Sequence, residues 1–263
     1  MIELCGASLL FRFPEACPWA VLEVSLVRGL PGREKGAGDS CPRVPLSHVD
    51  DHADRVPASW VERGGVMGPL YPGEALWLEV SSRKGPEGRP PYPFAVKAGT
   101  GKLNFLTLAP WKDALDARTQ DYAACPPQRW IAGITDRSGD MRGMVARELF
   151  SEQTVEKSVT GHARFGGVQL AAYPMHPELY ASLFGVRPVE KEYAVHERAA
   201  EFSPDLGVEW GGPVDEGVLP DPHGYAAWDQ SRTARAFVHL ADARAWKRLT
   251  GQEPPPPLDG PTS

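Results

Sequence analysis

The chain has 263 residues, of which 42% are hydrophobic and 24% charged, a composition typical of a globular protein and not of a disordered one. Its 27 glycines and 27 prolines make up about a fifth of the sequence, against roughly 12% in an average protein, and this disfavours long uninterrupted helices. The net charge of −6 and the lack of lysine- and arginine-rich blocks exclude a broad basic surface for nucleic acid.

Short strand patterns dominate the first two thirds of the sequence. Strands are predicted where apolar and polar residues alternate or where short apolar runs lie between turns: residues 2–13, 19–28, 75–81, 94–98, 103–108, 129–135, 141–148 and 168–173. Residues 99–101 (Gly-Thr-Gly) are predicted as a tight turn between two of these strands, and residues 137–140 as the turn of another hairpin. Residues 29–58 and 185–222 lack a clear period and are predicted as long irregular loops.

The predicted helices are short and lie mostly in the second half of the chain. They cover residues 111–117, 151–161, 176–183 and 243–250. The last of them is the best defined, because Asp242 is a good N-cap and Gly251 a good C-terminal stop. Residues 236–241 fit a strand or a helix equally well.

These elements predict a β-rich α+β fold, in which short antiparallel strands form a sandwich or an open barrel with a few short helices. We expect residues 1–252 to form a single globular domain, because no convincing linker interrupts the strand pattern. Residues 253–263 contain five prolines and few apolar groups, so they are predicted to be a flexible tail that folding does not require.

The ends and the cysteines of the chain bear on its location. Residues 1–13 lack a basic leader, and no run of 18 apolar residues occurs, so we expect a soluble cytoplasmic protein without a membrane partner. Cys5, Cys17, Cys41 and Cys125 show no Cys-x-x-Cys spacing, which argues against zinc knuckles and redox dithiols. Reduced thiols are the prediction, and two disulfides are the alternative.

Five stretches carry a distinctive combination of residues: 70–77 (LYPGEALW), 93–104 (PFAVKAGTGKLN), 127–130 (PQRW), 166–175 (GGVQLAAYPM) and 224–251, with GYAAWDQ and FVHLADARAWKRLTG. Together they resemble one family of bacterial proteins of unknown function, and the match extends from about position 66 to 256. The resemblance implies a bacterial, cytosolic chain that forms one integrated unit. It implies no catalytic residues, because no activity is assigned to that family.

A hairpin with two lysines is the first candidate site. Lys97 and Lys102, together with Asn104, could bind the carboxylate or phosphate of a small ligand if the turn at residues 99–101 places the two lysines on one face; a one-residue shift of register would place them on opposite faces. Gln128, Gln169 or His239 would complete this site from the opposite side. The alternatives are an ordinary lysine-bearing hairpin and, for His239, a buried core histidine.

A histidine cluster is the second candidate site. His48 and His52 lie four residues apart, as a metal-binding pair on one helix face requires, and Asp51 is a nearby carboxylate. Two histidines do not make a closed site without distant ligands, so a solvated polar turn after Ser47 is the favoured interpretation.

These patterns leave three predictions for function. The first is an interaction or scaffold module, because no Gly-x-Ser-x-Gly or His-Glu-x-x-His motif identifies a catalytic residue. The second is a small-molecule enzyme or binder that uses the lysine hairpin for an anionic ligand, and the third is a metal protein that uses the histidine cluster. The expected partner is a protein or a small anionic molecule, without nucleic acid, and no cofactor is identified.

Overall fold

The structure, a computed structural model, describes residues 1–32, 41–185, 205–214 and 217–258. Parts of both predicted irregular loops, and the end of the predicted tail, lie outside the described residues. The strands are β1 (Ile2–Cys5), β2 (Ser8–Arg12), β3 (Val21–Gly29), β4 (Ser47–His48), β5 (Val66–Leu70), β6 (Ala75–Ser82), β7 (Phe94–Thr100), β8 (Leu103–Asn104), β9 (Ala123–Cys125), β10 (Trp130–Ile131), β11 (Gly133–Thr135), β12 (Met141–Glu148), β13 (Val168–Pro174), β14 (Leu206–Pro213) and β15 (Ala234–Asp242). The α-helices are α1 (Ala58–Arg63), α2 (Val155–Thr160), α3 (Pro177–Phe184) and α4 (Ala243–Thr250).

Within the described ranges the strands form two sheets. The first has the order β1-β2-β3-β6-β12-β11, with β10 paired to β6 and β14 paired to β12. The second has the order β4-β5-β15-β13-β7-β8, with β9 paired to β7. Every named pair is antiparallel except β5 and β15, which run parallel. The predicted β-rich fold is confirmed, and its two sheets are consistent with a sandwich.

The main hydrophobic core lies between the two sheets, because alternate residues of each strand point toward the other sheet. One buried cluster contains inward-facing side chains of both, among them Leu22, Val24, Leu26, Leu76 and Leu78 from the first sheet and Val96, Leu170, Ala172, Val238 and Leu240 from the second. A smaller cluster covers the opposite face of the second sheet, where Trp60 of α1 and Trp246 of α4 pack with Met67 of β5. Both faces of the second sheet are therefore partly covered.

The outer face of the first sheet carries an ion-pair network. Arg43 contacts both Glu23 and Glu79, and Arg83 and Arg129 complete the network at its two ends. Burial raises the pKa of Glu23 and of Glu79, but the hydrogen bonds and positive charge of the neighbouring arginines outweigh it, so both pKa values lie below the ordinary value. The part of the face around Glu23 and Glu79 is thus polar and internally neutralised, whereas Val27, Trp77 and Ala132 form a small apolar cluster further along it.

The predicted ends of the last helix are confirmed, whereas the helix predicted from residue 151 begins at Val155, after Thr154 as its N-cap. Helix α4 begins where Asp242 accepts a hydrogen bond from the backbone of Arg244 at 2.9 Å, and it ends at Gly251. Residues 234–242, which include the ambiguous segment 236–241, are strand β15. The predicted hairpin around residues 137–140 is also present, with β11 and β12 paired on either side of it.

Three other predictions are wrong. Residues 2–13 form a hairpin, β1 and β2, and not one strand, because the chain turns at Gly6. Residues 111–117 form no helix, since side chains such as Asp116 bind nearby backbone N–H groups and hold the segment in turns. The predicted irregular stretch 185–222 contains strand β14, which pairs with β12 despite its four glycine and proline residues.

The described residues contain no helix with the length and apolar character needed to cross a membrane.

Gly99 of β7 is a position where the fold excludes a side chain. A Cβ atom there would lie 2.4 Å from the backbone oxygen of Leu103, which cannot move without breaking the hairpin. We therefore expect Gly99→Ala to lower the free energy of unfolding by about 1–3 kcal/mol, measured by urea denaturation. The matched control is Gly212→Ala in β14, where a Cβ atom would meet nothing within 4 Å. Equal stability of the two variants would contradict this packing.

Candidate functional site

Lys97 lies inside the protein. Its side chain is 1% exposed, and its Nζ lies 2.5 Å from the carboxylate of Asp121 and donates to the backbone oxygen of Ala114 at 2.7 Å. The ring of Trp111 lies 5.4 Å away on the same segment. The ammonium group is therefore neutralised and enclosed by residues that follow the hairpin.

Asn104 is part of the same enclosed network. Its Nδ2 donates to the backbone oxygen of Asp121 at 2.7 Å, and its Oδ1 accepts from the backbone N–H groups of Leu106 and Thr107. These bonds bend the chain out of the sheet after β8, which is why the strand predicted for residues 103–108 ends at Asn104. The structure thus brings Lys97 and Asn104 together around Asp121, where both shape the loop.

Lys102 occupies a different environment. The pairing of Thr100 with Leu103 leaves Gly101 and Lys102 as a two-residue turn, with φ of 55° and 59° respectively. Positive φ at both positions is typical of a type I′ hairpin turn. The turn therefore follows Thr100 and does not lie at residues 99–101. Lys102 is exposed at its tip, and its Nζ lies 4.2 Å from the centre of the Phe165 ring.

Neither glutamine has a hydrogen bond to Lys97, Lys102 or Asn104 among the described residues. Gln128 is buried and donates through Nε2 to the backbone oxygen of Trp130, while its Oε1 accepts from the backbone N–H of Leu219. It therefore fastens residues 217–221 to the first sheet. Gln169 pairs with Gly99 across β13 and β7, and its Nε2 is buried without a hydrogen-bond partner in the part of the chain that the structure describes.

His239 is a fully buried core residue. It stacks on Trp60 with ring centres 4.5 Å apart, and its Nε2 lies 3.2 Å from the backbone oxygen of Gly64. Its Nδ1 lies 3.5 Å from a carboxylate oxygen of Asp205. The ring is 0% exposed and both of its nitrogens face oxygen atoms. Because Gly64 directly follows α1 and Asp205 directly precedes β14, these contacts link both elements to β15.

The histidine cluster does not converge on one point. His48 is exposed in β4, whereas His52 is buried, with its Nε2 2.8 Å from the hydroxyl of Ser47 and its Nδ1 3.4 Å from Arg55. Asp51 points to solvent. Over residues 1–32, 41–185, 205–214 and 217–258, no group of three or more His, Cys, Asp or Glu side chains has the arrangement of a metal site.

A surface that sequence reasoning missed lies beside the Lys102 turn. Arg63, the last residue of α1, has its guanidinium 5.2 Å from the ring of Phe165 and 5.4 Å from that of Phe237. Lys102 contacts the same Phe165 ring, and both rings are half-buried. We call Lys102, Arg63, Phe165 and Phe237 the cation–aromatic surface. Among the described residues neither cation has a carboxylate partner.

Glu156 of α2 fixes the geometry of this surface. Its buried carboxylate accepts from the backbone N–H groups of Arg164, Phe165 and Gly166 at distances of 2.8 to 3.2 Å. The turn that carries Lys102 rests on the same side chain, because a Cβ atom at Gly101 would lie 2.4 Å from Glu156. One carboxylate thus positions both the ring and the lysine above it.

The chain matches no protein-family model, no curated protein and no solved structure. The chemistry of the cation–aromatic surface therefore rests on the geometry of its own residues. The resemblance to a bacterial family stays a prediction.

The two lysines of the hairpin should respond differently to the loss of charge. Lys97→Met leaves the buried carboxylate of Asp121 without its cation, so we expect the free energy of unfolding to fall by about 3–5 kcal/mol. Lys102→Met is the matched control, and because Lys102 is exposed we expect a change within about 0.5 kcal/mol. Urea denaturation of both variants measures the difference, and equal midpoints would show that Lys97 is not held as described.

Proposed function

We propose that the protein is an interaction module that binds an acidic segment of a partner protein on the cation–aromatic surface. The observation that carries this proposal is the convergence of Lys102 and Arg63, from separate elements, over one half-buried ring without a carboxylate. An exposed third cation, Arg164, precedes that ring in the sequence. Two positive charges that share one ring, with no carboxylate in an ion pair with either of them among the described residues, attract an anionic group.

The energies involved favour an extended acidic segment over a single small anion. An exposed ion pair contributes about 0–1 kcal/mol, so two such pairs contribute about 2 kcal/mol at most. A dissociation constant of even 1 mM requires about 4 kcal/mol. Several contacts along one partner are therefore needed, and the neighbouring half-buried rings of Phe165 and Phe237 offer apolar area for them.

The arrangement is also prepared before binding. Because Glu156 holds the backbone of residues 164–166, the ring and the turn do not need to be ordered when a partner arrives. Preorganisation of this kind improves affinity by reducing the entropy lost on association. The enzyme and metal alternatives find no comparable support, since Lys97 and Asn104 shape a loop and His48 and His52 lie apart.

Binding of an acidic probe tests the proposal. We expect a fluorescein-labelled peptide of six glutamates and two leucines to bind the protein in fluorescence anisotropy at low salt, and to bind more weakly as salt is added. Lys102→Glu should weaken this binding by about tenfold, since it replaces an attraction by a repulsion worth about 1.4 kcal/mol.

Lys84→Glu is the matched control, because Lys84 is an exposed lysine outside the cation–aromatic surface and the substitution changes the net charge equally. It should alter binding less than about twofold. Equal weakening by the two substitutions would mean that only net charge matters, and the proposal would fail. Absence of binding by the unmodified protein would also overturn it.

We further propose that the protein works in the cytoplasm. All four cysteines are free in the structure, with Cys5 exposed, Cys41 partly exposed, and Cys17 and Cys125 buried. Free thiols are typical of proteins from reducing compartments.

The cysteines should differ in reactivity. Burial raises the pKa of the Cys125 thiol to about 12, so at pH 8 it is protonated as well as shielded, and the thiol is not the reactive form. We expect Ellman's reagent to modify exposed Cys5 rapidly in the native protein and Cys125 only after denaturation, with four thiols titrated in total. Cys5→Ser should remove the rapid phase alone. Fewer than four thiols in denaturant would indicate a disulfide.

A further inference from the structure

A buried ion pair lies at the end of β3. Arg28 is 1% exposed, and its Nε donates to Oε2 of Glu74 at 3.0 Å, while a second guanidinium nitrogen contacts the other carboxylate oxygen. The backbone N–H of Tyr71 also donates to Oε2, at 3.1 Å. The two side chains are therefore fixed relative to each other, while one lone pair of Oε1 and some of the guanidinium N–H groups remain for other partners.

Residues near the end of the described chain complete this pair. The backbone oxygen of Pro256 accepts from Arg28 at 3.0 Å, and the backbone N–H of Leu258 donates to Oε1 of Glu74 at 3.2 Å. No pattern in the sequence predicts these contacts for the proline-rich segment. The ion pair thus holds a carbonyl and an N–H that lie two residues apart in an extended chain.

Proline suits the position between those two groups. Pro257 has no N–H that would need a partner, and its ring restricts the backbone before binding, so little conformational entropy is lost. The side chains of Pro256 and Pro257 are exposed, whereas Leu258 is half-buried. Recognition therefore depends mainly on backbone groups, and any extended peptide with the same carbonyl, proline and N–H arrangement satisfies it.

The cost of the buried pair supports a binding role. Moving two charges out of water costs several kcal/mol per ion, and an apolar pair of similar volume would often be as stable. Unlike an apolar pair, the ion pair offers a hydrogen-bond donor and an acceptor to the backbone of another segment. The contacts that use them come from residues 228 and 184 positions further along the chain.

We propose that Arg28 and Glu74 form a binding site for an extended proline-containing peptide, which residues 254–258 of the same chain occupy in this structure. From another molecule, the site would bind a peptide in which a backbone carbonyl and an N–H flank one proline. A segment tethered within the chain has an effective concentration of about 1 mM, so a partner peptide must compete with it. This site is separate from the cation–aromatic surface and does not depend on it.

Exchange of the tail segment tests the proposal in the full chain. Leu258→Pro removes the N–H that Glu74 accepts and leaves both side chains of the site unchanged. The probe is a peptide of residues 252–258 with an N-terminal fluorescein, and the control peptide carries Leu258→Pro. We expect the probe to bind the Leu258→Pro chain at least about tenfold more tightly than it binds the unmodified chain. We also expect the control peptide to bind the Leu258→Pro chain at least about tenfold more weakly than the probe does.

A second measurement on the unmodified chain does not depend on the variant's folding. The amide proton of Leu258 should exchange with solvent at least about tenfold more slowly than in the free peptide, because it is hydrogen-bonded to Glu74. Exchange at the free-peptide rate would overturn the proposal. So would failure of the probe to bind a folded Leu258→Pro chain, or equal binding of the two peptides.

Discussion

The candidate site depends on the hydrogen bonds that the buried carboxylate of Glu156 accepts. A buried carboxylate is costly unless hydrogen bonds replace its hydration, and here the backbone N–H groups of Arg164, Phe165 and Gly166 do so. This requirement fixes the loop after α2 and leaves room for a turn without a side chain at Gly101. The position of Lys102 above the Phe165 ring follows from these two constraints. The need of a buried carboxylate for hydrogen bonds therefore determines the geometry of the cation–aromatic surface.

Two kinds of charged residue in the described chain differ in their partners. Arg28 and Lys97 are buried, and each has a carboxylate within hydrogen-bond distance, as burial requires. Lys102 and Arg63 are exposed or half-buried, and within the described ranges they lie against aromatic rings and contact no carboxylate; Arg63 also donates to the backbone oxygen of Phe165 at 3.1 Å. The first kind is engaged within the chain, Lys97 by its own loop and Arg28 by the segment at residues 256–258 that the proposed peptide would replace. The second kind remains available to another molecule, which is why the proposed function rests on it.

Capping residues and strand periodicity predicted the ends of α4 and the β-rich class, but they could not predict contacts between residues far apart in the sequence. Asp242 and Gly251 mark the ends of α4 because capping depends on residues within one turn. The β-rich class follows from strand periodicity and from the glycine and proline content. By contrast, Lys97 looks like a ligand-binding residue until Asp121, 24 positions away, is placed beside it. Arg63 and Phe165 are 102 positions apart, and neither belongs to a motif, so no spacing pattern could have indicated the cation–aromatic surface.

The parallel pairing of β5 with β15 affects how the protein is made. Strand β15 lies between β5 and β13, so the second sheet consists of two separate halves until residues 234–242 have left the ribosome. During synthesis, each half has an unpaired edge of backbone N–H and C=O groups, and such edges promote association between chains. Closure of the sheet waits for β15, the last of the described strands, and contacts this distant in sequence form slowly. The edges of β5 and β13 thus remain open to pairing with other chains until β15 inserts between them.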